Sequence, residues 1–134
     1  IISEVGYDLW LNLHALRAEV LYKCVEELGF RPFVREDFRS TTVISVKCPP
    51  GLKCSTVKNE LESKYRIYIS SGMGALKDAI LRIGNMGFIT WRDVLSLISA
   101  LAEIALSHGV EADVGRIIRI VGECAVKQPI PWED

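Results

Sequence analysis

The stretch Arg66-Ile67-Tyr68-Ile69-Ser70-Ser71-Gly72-Met73-Gly74 leads, after four residues, into Ala79-Ile80-Leu81-Arg82-Ile83-Gly84-Asn85-Met86-Gly87, and these two runs decide the fold of the 134-residue chain. Residues 66–70 alternate in hydropathy as a strand does, and Gly72 and Gly74 open backbone angles closed to other residues. Residues 79–84 read as a second strand, with Leu81 and Ile83 on one face and Ile80 and Arg82 on the other. No crossover helix separates Ile69 from Ile80, so the sheet is expected to be mainly antiparallel.

Upstream, Leu9, Leu13, Leu16, Val20 and Cys24 recur at helical spacing within residues 5–28, and Gly29 suits a left-handed cap before Arg31-Pro32 stops the helix. Residues 41–47, rich in β-branched side chains and ending at Pro49-Pro50-Gly51, predict a strand. Ser55 or Thr56 is expected to cap a second helix with Val57 and Leu61 on its apolar stripe and Lys58, Glu60, Glu62 and Lys64 toward water. Downstream, Thr90 and Asp93 stand at capping-box spacing before Val94, Leu97, Ile98, Leu101, Ile104 and Ala105, a helix that stops at His108-Gly109. Val114, Ile117, Ile118 and Val121 predict a last helix, weakened by Gly115 and Gly122, and Pro129 and Pro131 end regular structure. The order predicts an α+β fold: a small, mainly antiparallel sheet covered by helices.

Sixteen basic and 17 acidic residues nearly cancel, with no run of like charge, which offers no footprint for nucleic acid or an anionic membrane. No apolar run reaches membrane-spanning length. Ile1-Ile2-Ser3-Glu4 lacks the pattern of a signal peptide, so a soluble cytoplasmic protein is expected. Apolar residues make up 49% of the chain, enough for a core and suggestive of a covered surface.

Arg82 is the sharpest chemical feature, because a guanidinium in an apolar strand needs an anion, a hydrogen-bonding partner or water, and its fork fits a carboxylate. On pattern alone, an ion pair with Glu60 or Asp78, or exposure on an edge strand, is the commoner lot of such a residue. Cys24, Cys48, Cys54 and Cys124, with His14 and His108, lack the spacing of a zinc site, so no metal is expected. A disulfide across the turn is geometrically open to Cys48 and Cys54, whereas a reducing cytoplasm favours free thiols. No nucleophile, base and orienting acid come together in the sequence. Trp10, Trp91 and Trp132 read as packing residues.

The run from Ile67 to Gly87, with its glycine-rich segment followed by Arg82-Ile83-Gly84 and a short turn to Gly87, resembles the C-terminal signature of class V aminotransferases, most of all their serine–pyruvate and alanine–glyoxylate branch. The likeness extends to Glu26-Glu27-Leu28-Gly29-Phe30, the Thr-rich strand into Pro50-Gly51, and the helix from Trp91. It marks residues 3–108 as the small domain of a pyridoxal-phosphate enzyme. Residues 109–134 do not resemble the usual family ending and are expected to be a lineage-specific helix and tail.

The resemblance implies that Arg82 binds the carboxylate of a small amino acid such as serine or alanine, or of its 2-oxo acid counterpart, pyruvate or glyoxylate. Pyridoxal 5'-phosphate would be held on a lysine of a large domain of the same protein, in a homodimer. None of Lys47, Lys53, Lys58, Lys64 or Lys77 stands in the family's cofactor-lysine context, so this chain alone is expected to bind no cofactor and to be inactive, with no catalytic residue of its own. A cysteine desulfurase would share the architecture, yet no cysteine lies near Arg82. The other alternative is a non-catalytic α+β module that binds an amino acid or a partner chain.

Overall fold

The computed structural model describes Ser3 and residues 6–126; the expectations for the opening residues, for Pro129 and Pro131 and for Trp132 lie outside the described residues. A long helix, α1 (Tyr7–Glu27), leads into β1 (Arg31–Pro32), a 3-10 turn at Glu36–Phe38, and β2 (Val43–Lys47). Then come α2 (Cys54–Glu60), a wide π turn at Leu61–Tyr65, β3 (Ser70–Ser71), β4 (Leu81–Gly84), α3 (Trp91–Ser107) and α4 (Val114–Ala125). The four strands form one antiparallel sheet in the order β1-β2-β4-β3. The expected α+β fold is the observed one.

Three details differ from the sequence pattern. The strand expected over residues 66–70 is confined to Ser70–Ser71. Arg66 takes a left-handed conformation (φ 58°) at the end of the π turn, and the Ile67 amide is drawn back to the Leu61 carbonyl, so the alternation of Ile67, Tyr68 and Ile69 has no strand beside it to pair with. Pairing, which period-2 hydropathy does not encode, decides the outcome. The second helix begins two to three residues earlier than expected: Lys53 is its N-cap and neither Ser55 nor Thr56 caps it. Arg31-Pro32, expected only as a break, also forms a short edge strand opposite Lys47 and Val46, a place where the missing amide of proline does no harm.

The sheet has two unlike faces. Ile44, Val46, Leu81 and Ile83 point into a core shared with Val20, Leu21, Cys24 and Val25 of α1, Leu97, Ile98, Leu101 and Ile104 of α3, and Ile117 and Val121 of α4. The last helix is therefore packed in the same core as the rest. On the other face, cross-strand pairing aligns Ser45, Arg82 and Ser70 in one row. The helices cover the first face alone, which leaves this polar row open.

Inside the helix-covered side lies a polar contact that no periodicity announces. Asn85, fully buried, donates from Nδ2 to the carbonyls of His14 (3.0 Å) and Thr41 (2.8 Å), while its amide donates to Thr42 O (2.7 Å). Its Oδ1 accepts from Nε of Arg17 (3.1 Å), itself 2% exposed, and Arg17 Nη1 donates to Ile89 O (3.1 Å). Burial lowers the Arg17 pKa from its ordinary value, yet an arginine stays charged, so its acceptors cannot be spared.

Thr90 and Asp93 form the expected capping box: the Thr90 hydroxyl accepts from the Asp93 amide, and the Asp93 carboxylate accepts from the amide and hydroxyl of Thr90.

Two outcomes follow. Asn85→Ala, which strands a buried guanidinium and two carbonyls, is expected to lower stability by about 3 kcal/mol or more, read from the urea midpoint. The Thr90 hydroxyl and amide hold the Asp93 carboxyl below its ordinary pKa. With the folded pKa beneath the unfolded one, the contribution is complete above about pH 4 and disappears as the pH falls through the folded value. The stability difference between the wild type and Asp93→Asn, measured by urea unfolding, should thus be present at neutral pH and close on acidification.

Candidate functional site

Arg82 sits at the middle of the open row, between Ser45 of β2 and Ser70 of β3. It is half-buried, and its Nε donates to the Ser71 carbonyl at 2.8 Å. Among the described residues it forms no ion pair: neither Glu60 nor Asp78, the partners open to it on sequence pattern, meets it. Glu60 instead binds Lys64 and His108, and those partners hold its carboxyl below the ordinary range. A guanidinium anchored at Nε keeps the two Nη groups of its fork for an incoming planar anion, the geometry that suits a carboxylate.

The Ser71 carbonyl is itself placed by the glycine-rich loop. The Gly72 amide donates to Ile80 O (3.0 Å), and a 3-10 turn at Gly74–Leu76 folds back over Gly72 so closely that a Cβ there would lie 2.0 Å from the Leu76 carbonyl oxygen. Gly72 is thus required by close approach rather than by φ. The sequence pattern predicts unusual backbone angles for both Gly72 and Gly74; Gly74 has one (φ 56°), whereas Gly72 serves the close approach of Leu76.

The other candidates do not join Arg82. His14 is buried within α1, its Nδ1 bonded to Trp10 O (2.7 Å), and its ring meets that of Trp10 at a tilt of 47° with the centroids 4.0 Å apart. His108 has a carboxylate neighbour that spacing concealed, Glu60, 48 positions away. Trp91 packs against the core. All four cysteines are free; Cys24, deep in the core, is pushed up to about 12 by burial and by nearby Cys124 and Glu27. Among the described residues, no three His, Cys, Asp or Glu side chains gather as metal ligands, and no helix is long and apolar enough to cross a membrane. Lys23, Lys47, Lys53, Lys64 and Lys77 are exposed, and half-buried Lys58 is paired with Glu62.

No family model matches the chain. It is 33% identical over 108 residues to an uncharacterized aminotransferase of Methanocaldococcus jannaschii, a match of 81% of this chain and 28% of that protein. Over 109 residues it is 29% identical to the alanine–glyoxylate aminotransferase of Rattus norvegicus, covering 81% of this chain and 26% of that one. Among solved structures, ureidoglycine–glyoxylate aminotransferase from Bacillus subtilis superposes with a TM-score of 0.86 at 24% identity, over 94% of this chain and 33% of its own. Alanine–glyoxylate aminotransferase from Nostoc sp. superposes with a TM-score of 0.66 at 29% identity, over 69% of this chain and 25% of its own. The chain is homologous to the class V aminotransferases and has the fold of their C-terminal region. It spans between 25% and 33% of the length of these relatives.

Because any side chain at position 72 collides with backbone, Gly72→Ala is expected to cost about 2 kcal/mol or more. It should also release Arg82 from the Ser71 carbonyl, seen as loss of solvent protection at the Arg82 Nε–H in NMR while the core amides stay protected.

Proposed function

We propose that this chain is the substrate-aiming C-terminal part of a pyridoxal-phosphate-dependent aminotransferase, with Arg82 as the group that binds the substrate carboxylate. The observation that carries the reading is the state of Arg82: held at Nε by a backbone carbonyl, on the open face of the sheet, with no acidic partner among the described residues. Arg17, by contrast, is buried on the other side and bonded at both Nε and Nη1.

The residues present do not form the cofactor's own site. A Schiff base needs a lysine shielded in a pocket, and the described lysines are exposed or, for half-buried Lys58, paired with Glu62. No step at the cofactor is assigned to this chain. The rest of the protein, a large domain that the relatives' greater length suggests, would bring the lysine and pyridoxal 5'-phosphate, and the electron sink that the cofactor supplies. Two copies would form a cytoplasmic homodimer.

Arg82 would contribute orientation. Two parallel N–H donors to one carboxylate remove the rotational freedom of a small amino acid about its Cα–carboxylate axis, so its Cα–H meets the base of the large domain in one pose. Ser45 and Ser70 border the guanidinium on the same sheet face, and neither adds a charge there. The reading therefore favours substrates of serine or alanine size with pyruvate or glyoxylate as acceptors, in keeping with the alanine–glyoxylate relatives.

In the full-length protein, Arg82→Ala is expected to lower kcat/KM for the amino donor by roughly a hundredfold or more. Its melting temperature should stay near that of the wild type, because the core side of β4 is untouched. Arg82→Lys should recover only part of the loss, since an ammonium cannot reproduce the fork. Unchanged steady-state kinetics in Arg82→Ala would sink the assignment.

A further inference from the structure

The turn between β2 and α2 brings together two thiols that the aminotransferase reading does not use. Cys48 follows the last residue of β2 and Cys54 opens α2, and the chain between them reverses through Pro49-Pro50-Gly51, closed by the Leu52 amide on the Pro49 carbonyl (3.1 Å) with Gly51 at φ 83°. The turn sets the two thiols beside the same surface cleft. Both line a cleft of about 630 Å³ whose other walls are Lys47, Leu52, Lys53, Ser55, Asp78 and Ala79. Cys54 is 4% exposed and lies at the back, while Cys48 is half-buried and nearer the opening.

We propose that Cys48 and Cys54 form a dithiol modification site that is converted to an intramolecular disulfide by a small-molecule disulfide such as glutathione disulfide. Cys48, as thiolate, attacks one sulfur of the oxidant; that S–S bond breaks, a mixed disulfide forms on Cys48 and one glutathione leaves as a thiol. Cys54 then attacks the Cys48 sulfur, closes the protein disulfide and releases the second glutathione thiol. Two protein thiols are oxidised and one small disulfide is reduced, with the two protein protons passed to the two leaving groups.

Three features of the site support this. The tight turn and the shared cleft bring the two thiols to one place, so the ring to be closed spans only the short turn between them. The outer thiol is the one an oxidant meets first, and the buried one is shielded until it is needed. Lys47 and Lys53, both exposed at the cleft, offer positive charge to the carboxylates of a glutathione-like reagent. Burial, and after it the neighbouring Cys54 thiol, raise the Cys48 pKa above the ordinary thiol range, which keeps the resting pair as thiols and makes the first attack slow. Closure would tie the end of β2 to the first turn of α2.

The test is peptide mapping of the full-length protein after incubation with glutathione disulfide, blocking of free thiols and digestion with trypsin. Cleavage after Lys47, Lys53 and Lys58 separates the two cysteines, so the disulfide appears as peptide 48–53 joined to peptide 54–58 and two mass units lighter than the two free peptides together. Cys54→Ser should instead accumulate glutathione on Cys48. If that variant fails to fold, the wild-type map decides by itself. Glutathione retained on Cys48 with Cys54 still free in the wild type, or both thiols fully blocked after oxidation, would overturn the proposal.

Discussion

The end of β4 is held in place by the buried contact between Asn85 and Arg17, and the arrangement of the other elements depends on it. Through five hydrogen bonds it ties together α1, by way of Arg17 and the His14 carbonyl, the entry to β2, by way of Thr41 and Thr42, and the entry to α3, by way of Ile89. Taking a guanidinium and a carboxamide out of water is costly, and the cost is offset only while every partner is present. A fold in which β4 moved along its neighbours would lose all these bonds together. The contact selects one arrangement more than it adds stability.

The open face inherits its geometry from that choice. Side chains alternate along a strand, so Asn85 on the covered side puts Gly84 and Arg82 on the other. A slip of one residue would bring Asn85 out to solvent and drive Arg82 into an apolar core. The same register sets Ser45 and Ser70 beside Arg82 and leaves Ile44, Val46, Leu81 and Ile83 inside. The glycine-rich loop finishes the work from the edge, because the backbone packing of Gly72 against Leu76 positions the Ser71 carbonyl that anchors the guanidinium. Two arginines of one chain thus differ in setting: Arg17 is buried with acceptors on its Nε and Nη1, and Arg82 is half-buried on the open face with the Ser71 carbonyl on its Nε.

Homology to class V aminotransferases accounts for the fold of the chain, which spans between 25% and 33% of the length of the four relatives named above. Among the described residues, the chain carries a half-buried guanidinium on the open face of its sheet and no shielded lysine.

The amino-acid sequence by itself determined the helices, the antiparallel sheet and the alternation that sets Arg82 apart from Leu81 and Ile83. Periods of 3.6 and 2, the capping pair Thr90 and Asp93, and the stops at Gly29 and Gly109 are local signals, each written within a few residues. Only the tertiary structure decided that Ile67 to Ile69 stay out of the sheet, that Arg31-Pro32 enter it, that Glu60 pairs with Lys64 and His108 rather than Arg82, and that Arg17 and Asn85 meet 68 positions apart. Hydrogen-bond partners of buried groups and the pairing of short strands are properties of segments brought together from across the chain, and neighbouring residues hold no record of them.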